Sequence, residues 1–305
     1  MDYFSGKKKS DKPLWILVWG TLEDLAQALH DAPDIEKNIK VYYIGGPNKK
    51  WGTNSYAFIV ENFPNLWIIE NDSTYRGFIY NEKIDINEKY GKGYYNYAMK
   101  GSGVMGADFI NYYEGIIKMG DTPSLLYMMD GDPDDPNRES WGGSFELMKY
   151  SSRRIIDLNE MQKKGESFSA PVYSLIEFHL KGPEKDINKD EPCFNVTIDK
   201  QTWQGFYIGN GNYVVRYTPK FSASLTYKTS SEIRELNNIS GIFEITNEWP
   251  GIPHSDDYIV GDNWFTDKKD NELFEDKWQG AGAIRKWREE ILEDWAQRWK
   301  CLKNN

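Results

Sequence analysis

Cysteine and histidine are scarce in this sequence of 305 residues. It has two cysteines, Cys193 and Cys301, and three histidines, His30, His179 and His254. Two cysteines permit at most one disulfide, which excludes a cysteine-rich metal site and leaves open whether these two are paired. The histidines lack the spacing of a zinc motif, and no nucleophile elbow accompanies them. Zinc enzymes and Ser-His-Asp hydrolases are therefore poor matches to this sequence.

Long apolar runs and excess positive charge are also missing. The longest apolar stretch, at residues 13–20, is far shorter than the roughly 20 residues that a membrane span needs. The lysine-rich start has no apolar region of the kind that a signal peptide contains. The 37 basic against 47 acidic side chains give a net charge of −10. A nucleic acid or an anionic membrane is therefore not an expected partner.

The sequence contains no phosphate-binding or dinucleotide-binding motif, because its glycine-rich segment near residue 101 does not follow a strand. Carboxylates are abundant, so a glycosidase with paired carboxylates stays open, but no pair stands out by its spacing. The catalytic residues, if the protein is an enzyme, are unknown at this stage.

Aromatic side chains, in contrast, are frequent. Tryptophan, tyrosine and phenylalanine together make up 15% of the chain. Such rings stack on sugars, but they also fill protein cores. Trp51, Trp141 and Trp203 lie in glycine-rich or turn segments, which supports contact with a ligand, although a core position is commoner for any single ring. They are our first candidates for contact with a ligand.

The first third of the chain alternates between strands and helices. Residues 14–19 form a continuous apolar run, and Thr21 with Asp24 resembles a capping box that begins a helix. Strands follow at residues 41–44 and 66–70, with a helix at about residues 54–62 between them. This order predicts part of a doubly wound α/β fold with a parallel sheet.

Ligands of such folds bind beyond the carboxyl ends of the strands. Three polar segments follow these ends, at residues 19–23, 45–54 and 71–77. They contribute Trp51, Tyr75 and Arg76 as candidate substrate contacts. The alternative is that these segments are polar simply because they are surface loops.

Asp121 precedes the helical pattern that continues through Pro123 and Leu125. It could be a helix cap or a carboxylate directed at a metal ion or a substrate. The acidic stretch at residues 130–137 fails the calcium-loop template, because Asp135 occupies its glycine position. Trp141, beside two glycines, is a further candidate for substrate contact.

Short β-type runs separated by turn residues occupy residues 193–249 and predict an antiparallel β-sandwich. Residues 283–302 form an amphipathic pattern that predicts a C-terminal helix whose aromatic stripe packs on the core. We therefore expect an α/β domain at residues 1–168 and 255–305, with an inserted β-sandwich-like domain at residues 169–254. The stripe consists of Trp287, Ile291, Trp295 and Trp299.

Four long segments resemble a bacterial and fungal family described as cellulose-binding proteins with a nucleoside-hydrolase-like domain. They are KPLWILVWGTLEDLAQAL, VYYIGGPNKKWGTNSYAFIVENFPNLWIIENDSTYRGF, GDTPSLLYMMDGDPDDPNRESWGGSFE and RKWREEILEDWAQRW. The resemblance covers about residues 12–146 and the last twenty or so residues. It implies a nucleoside-hydrolase-like sheet and a carbohydrate or nucleoside-like small molecule as the ligand.

Nucleoside hydrolases use one Ca²⁺ ion to activate water and to hold the ribose hydroxyls, and the resemblance assigns candidates for this role. Asp121 falls at the position of a metal-binding aspartate, and Glu23 at the position of a backbone carbonyl ligand. Asn54 falls near a sugar-binding asparagine. The catalytic histidine of the family corresponds to Gly120 here, so protonation of the leaving group by that histidine is not available.

The family normally opens with an aspartate cluster that supplies most calcium ligands, and this sequence has no such cluster. We expect either a fragment of a longer protein or a remnant without the catalytic half, and Ca²⁺ binding is doubtful for this chain alone. The resemblance suggests a secreted or periplasmic location, although no signal peptide is present in these residues.

Two functions follow as hypotheses. The first is the C-terminal part of a hydrolase that acts on N-glycosidic or carbohydrate substrates with calcium-assisted activation of water. The alternative is a carbohydrate-binding protein without turnover, with cellulose or another polysaccharide as the ligand. A structural partner in a polysaccharide-processing assembly remains a third possibility.

Overall fold

The computed structural model describes residues 12–79, 88–111 and 119–303. The chain divides into two compact units, which are described separately. The first consists of Met1–Val41, Gly45–Trp67 and Met148–Trp264, and the second of Tyr42–Ile44, Ile68–Leu147 and Phe265–Asn305. The predicted boundaries at residues 168 and 255 stay a prediction, and residues 1–11 of the predicted first domain lie outside the described part.

The predicted alternation of strands and helices in the first third of the chain is present. Its elements are β1 (Leu14–Val18), α1 (Glu23–Asp31), β2 (Ile39–Ile44), α2 (Thr53–Asn62) and β3 (Ile68–Asn71). Helix α1 is amphipathic and buries Leu25, Ala26 and Leu29. The predicted capping box is wrong, because α1 begins at Glu23 after Leu22 and no side chain caps it.

These strands belong to a five-stranded sheet of order β1-β2-β3-β15-β4, in which β4 is Phe145–Leu147 and β15 is Trp264–Asp267. Strands β15 and β4 pair antiparallel, with Thr266 opposite Glu146. The sheet is therefore not wholly parallel, whereas the sequence predicted a parallel sheet. An antiparallel strand at the edge of such a sheet is a common addition to α/β folds.

The β-rich region forms one eight-stranded sheet of order β6-β8-β11-β10-β9-β12-β13-β7. Its two end pairs, β6 with β8 and β13 with β7, run parallel, and the five pairs between them run antiparallel. The sheet is thus mixed, whereas the sequence predicted an antiparallel sandwich. The strands are β6 (Arg153–Asp157), β7 (Ser169–Pro171), β8 (Leu175–Lys181), β9 (Pro192–Ile198), β10 (Gln201–Gly209), β11 (Asn212–Tyr217), β12 (Ala223–Ser230) and β13 (Ser240–Thr246).

Aromatic side chains fill the inner face of this sheet. The ring centroid of Phe178 on β8 lies 5.7 Å from that of Phe243 on β13, although these strands are far apart in the strand order. Phe178 also lies 5.7 Å from Tyr227 on β12. Residues alternate between buried and exposed along β12, as expected for a sheet with one covered face. The sheet is therefore nearly closed around an aromatic core.

Helices α3 (Gly103–Asn111), α4 (Thr122–Asp130), α6 (Gly282–Arg285) and α7 (Arg288–Lys300) belong to the second unit. The predicted C-terminal helix is present as α6 and α7, and its aromatic stripe packs on the core as predicted. Ile291 and Trp299 are buried in that core, and Trp295 stacks on Tyr94 with ring centroids 5.7 Å apart. Leu126 of α4 belongs to the same core.

One further α-helix and one pair of short strands belong to the first unit. Helix α5 (Leu158–Lys164) is capped by Asp157, whose side chain accepts a hydrogen bond from the Glu160 amide. Strands β5 (Tyr150–Ser151) and β14 (Tyr258–Ile259) pair antiparallel. None of the helices in the described residues has the length and apolar character required to cross a bilayer.

Candidate functional site

Two tryptophans of the first unit lie side by side at the turn that precedes α2. Trp51, in the turn, has 53% of its surface exposed. Its ring centroid lies 5.9 Å from that of Trp203 on β10, with 33° between the ring planes. Trp203 in turn contacts Tyr217 of β11 edge to face, at 5.4 Å. We call Trp51, Trp203 and Tyr217 the aromatic platform.

The ammonium group of Lys50 lies among the rings of the platform. Its nitrogen is 5.3 Å from the ring centroids of Trp51 and Trp203, and 5.5 Å from that of Tyr217. It also donates a hydrogen bond to Oε1 of Gln201. Burial lowers the pKa of Lys50, and the charge of Lys220 lowers it further. Lys50 therefore attaches the turn to β10 while one ring of the platform stays accessible.

Lys49, the second lysine of this turn, holds the turn against the core of the first unit. The Lys49 side chain is buried, with its nitrogen 4.2 Å from the Tyr56 ring centroid and 3.8 Å from that of Trp249. The Thr53 hydroxyl donates hydrogen bonds to the backbone carbonyl oxygens of Lys49 and Lys50, at 3.0 and 3.2 Å. These contacts hold the backbone before Trp51 in one conformation, which reduces the entropy that ligand binding would cost.

Asn54, a predicted sugar contact, lies three residues beyond Trp51 in the first turn of α2. Its Oδ1 accepts a hydrogen bond of 3.4 Å from Nη1 of Arg216 on β11. Nε of Arg216 donates to Oε1 of Glu177 at 2.7 Å, and Nε2 of His179 lies 3.1 Å from Oε2 of Glu177. Asn54 thus follows Trp51 closely in the chain, and its contacts add charged residues that the sequence did not single out.

Glu177 is the buried anion of this group. Burial by itself would raise its pKa, but the hydrogen bond from His179 and the adjacent Arg216 charge lower it to about 2. Glu177 therefore stays ionised, and it orients the Arg216 guanidinium toward Asn54.

Glu23, predicted as a carbonyl ligand for calcium, lies at the start of α1 in the first unit. A Cβ atom added to Gly52 would lie 3.0 Å from Oε1 of Glu23 and 2.9 Å from Cβ of Thr21. The turn before α1 and the turn before α2 therefore touch at Gly52. The exposed carboxylate of Glu23 borders the residue that follows Trp51.

A second group of polar residues lies in the second unit, where β3 ends. Asp267 of β15 is buried and accepts hydrogen bonds from the amides of Asp72, Ser73 and Thr74, at 3.1, 2.7 and 3.1 Å. Burial raises the pKa of Asp267 to about 7, although these amides favour the ionised form. Asp267 therefore fixes the turn that carries Tyr75.

Tyr75 and Arg76, two predicted substrate contacts, follow this turn. Tyr75 is 7% exposed, and its amide donates to Oδ1 of Asn71 at 2.8 Å. The Arg76 guanidinium lies 4.0 Å from the ring centroid of Trp278. Both side chains pack within the second unit, which leaves little of Tyr75 accessible to a ligand.

Asp121 lies in the position before α4, but its carboxylate makes no capping hydrogen bond. Its backbone carbonyl instead accepts hydrogen bonds from the amide and the hydroxyl of Ser124. Burial raises the pKa of Asp121. A Cβ atom added to the preceding Gly120 would lie 3.4 Å from the Tyr75 ring, so Asp121 follows a residue that packs on Tyr75. Asp121 thus occupies the cap position of α4, but its side chain does not form the hydrogen bond of a helix cap.

Trp141, the last predicted substrate contact, is partly buried against the core of the second unit. Its amide donates to Oδ2 of Asp130 at 3.2 Å. The structure therefore places Trp141 and Asp121 in the second unit, and Trp51, Asn54 and Glu23 in the first.

The donor groups do not suit a calcium ion. Across residues 12–79, 88–111 and 119–303, no three histidine, cysteine, aspartate or glutamate side chains are grouped so that they could hold a metal. Calcium requires six to eight oxygen ligands, most of them from carboxylates and carbonyls. Asp121 supplies one carboxylate, so the described residues do not fit this cofactor.

Comparison with known protein families gives a match in the N-terminal part of the chain. Residues 4–145 match the family described as cellulose-binding Sde182, nucleoside hydrolase-like domain. This match confirms the resemblance found in the sequence motifs for this region. Residues 169–232 match a family described as a domain of unknown function, DUF5060.

Solved structures and curated proteins add little to this result. A crystal structure from Bacteroides vulgatus ATCC 8482, described as a candidate glycoside hydrolase, is 25% identical over 27% of this chain, with a TM-score of 0.24. The match spans 16% of that protein, and we draw no conclusion from it. No curated protein matches the chain.

Proposed function

We propose that this protein binds carbohydrate, with a polysaccharide as its ligand and the aromatic platform as its binding surface. The observation that carries the proposal is the exposed ring of Trp51 beside Trp203, held in place by Lys50. An indole face pairs well with the apolar face of a sugar ring, because both are flat and only weakly hydrated. Nearby Asn54 and Arg216 offer hydrogen-bonding groups to sugar hydroxyls.

Cellulose is the first ligand to test, because the family that matches residues 4–145 is described as cellulose-binding. The net charge of −10 supports a neutral ligand over a nucleic acid. Binding without turnover agrees with the sequence, in which Gly120 stands at the position of the family's catalytic histidine.

Replacing Trp51 by alanine should weaken retention on cellulose by roughly thirtyfold, because a tryptophan that anchors a ligand contributes about 2 kcal/mol or more. Trp51→Phe should retain part of the affinity, since it keeps an aromatic face. Depletion of the protein by insoluble cellulose, at a series of cellulose concentrations, measures the effect.

A matched control is Ile252→Ala, which removes another exposed apolar side chain of the first unit. It should bind as the wild type does. Equal binding by wild type and Trp51→Ala would contradict the proposed site. No retention of the wild type on cellulose or on any arrayed glycan would contradict the function itself.

A second candidate function is the hydrolase of N-glycosidic or carbohydrate substrates, built on a partial doubly wound, nucleoside-hydrolase-like sheet. It is favoured by Asp121, whose half-buried carboxylate is not used for helix capping. This function requires several Ca²⁺ ligands close together, and the described residues contain no such group. We therefore place it second.

The calcium hypothesis predicts a difference between wild type and Asp121→Asn in thermal unfolding. For this chain we expect no increase in Tm on adding Ca²⁺, and nearly equal Tm values for the two proteins, because no capping hydrogen bond is lost. A stabilisation by Ca²⁺ that Asp121→Asn abolishes, about 2.7 kcal/mol at a hundredfold excess over Kd, would favour the hydrolase instead. Chelator-treated samples serve as the reference.

A further inference from the structure

A second exposed tryptophan lies close to the aromatic platform. Trp19 follows the last residue of β1 and has 57% of its surface exposed, more than Trp51. Single exposed apolar residues are common on proteins, so the place of Trp19 relative to Trp51 decides whether it matters.

The turn that carries Trp19 touches the turn that carries Trp51. The contact is formed by Thr21 and Gly52, where an added Cβ atom would lie 2.9 Å from Cβ of Thr21. Chain geometry then limits the Cα atoms of Trp19 and Trp51 to a separation of at most about 17 Å. A linear glycan of a few sugar units can therefore reach both indoles.

The adjoining turns that carry the two indoles also offer a polar group. The Glu23 carboxylate is exposed and borders Gly52, where it can accept hydrogen bonds from sugar hydroxyls. At Gly20, an added Cβ atom would meet no atom of residues 12–79, 88–111 or 119–303 within 4 Å, its two chain neighbours aside. Two exposed aromatic rings and an acceptor of hydrogen bonds on adjoining turns suit a neutral polyhydroxylated chain.

We infer that Trp19 is a second stacking residue of the carbohydrate site, and that the site takes a linear glycan several sugar units long. Trp51 binds one sugar ring, Glu23 accepts from hydroxyls beside it, and Trp19 binds a ring farther along the chain. This inference rests on the proposed carbohydrate-binding function and specifies its ligand.

The test measures affinity against ligand length, using calorimetry with the full chain and cello-oligosaccharides of two to six glucose units. The wild type should bind the longer ligands more tightly. Trp19→Ala should lower the affinity for the longest ligand by roughly tenfold and leave that for the shortest unchanged. Trp51→Ala should weaken binding at every length.

The variants Trp19→Phe and Ile252→Ala are controls, and thermal unfolding confirms that each variant is folded. Trp19→Phe should keep part of the length dependence, and Ile252→Ala all of it. If Trp51→Ala weakens binding but Trp19→Ala keeps the wild-type length dependence, the inference is overturned while the proposed function stands. An equal loss at all lengths for Trp19→Ala also overturns it. No binding of any length by the wild type overturns both.

Discussion

Asp267→Ala is expected to lower the free energy of unfolding by at least about 3 kcal/mol, because it leaves buried backbone N–H groups without an acceptor. The carboxylate accepts from the amides of Asp72, Ser73 and Thr74, at distances of 2.7 to 3.1 Å. Alanine offers no acceptor, and the turn that it would release carries Tyr75. Urea unfolding measures the loss, and Asp134→Ala, at an exposed aspartate, should change stability by less than about 0.5 kcal/mol.

The effect of this substitution should depend on pH in a direction fixed by the pKa of Asp267. That pKa is raised to about 7, above its ordinary value, so the folded state holds a proton that the unfolded state releases. The resulting stabilisation is full below about pH 4 and is lost as the pH rises through about 7. The cost of Asp267→Ala should therefore be larger at pH 5 than at pH 8, by up to about 3 kcal/mol. An equal cost at both pH values would contradict the raised pKa.

The elements of the fold were largely predictable from sequence because their signals are local. Apolar runs marked β1, β2 and β3, and helical spacing marked α1 and the C-terminal helix. Pairing in the β-rich region was not predictable. Strands β6 and β7 precede residues 193–249, where the sequence shows the alternating pattern of strands. Their parallel pairing with β8 and β13 depends on contacts between distant parts of the chain.

The candidate site was predictable only in part, for a similar reason. Trp51 and Trp203 were both singled out, since tryptophans in turns are conspicuous, but 152 positions separate them and nothing in the sequence shows that they touch. Lys50, Arg216 and Glu177 carry no motif, and their importance follows from their partners in the fold. Tyr75 was also conspicuous, yet the structure buries it.

Glu177→Ala is expected to lower the free energy of unfolding by about 2–3 kcal/mol, because it removes the buried carboxylate that pairs with Arg216. The Glu177 side chain is 6% exposed and that of Arg216 is 29% exposed. Water can reach Arg216, so the loss should be smaller than for a fully buried pair. Glu244→Ala, at an exposed glutamate of the same sheet, is the matched control and should be nearly neutral.

Acid titration distinguishes the charge of Glu177 from its packing. Its pKa is lowered to about 2, so its contribution is full above about pH 4.5 and is lost as the pH falls toward 2. Glu177→Gln keeps an acceptor for Arg216 but carries no charge. Its free energy of unfolding should therefore fall less than that of Glu177→Ala, and it should lose this part of the acid dependence. Because Arg216 bonds Asn54, both variants should also weaken carbohydrate binding, Glu177→Ala more than Glu177→Gln. If both variants keep the wild-type acid dependence, the stabilising charge belongs to another carboxylate.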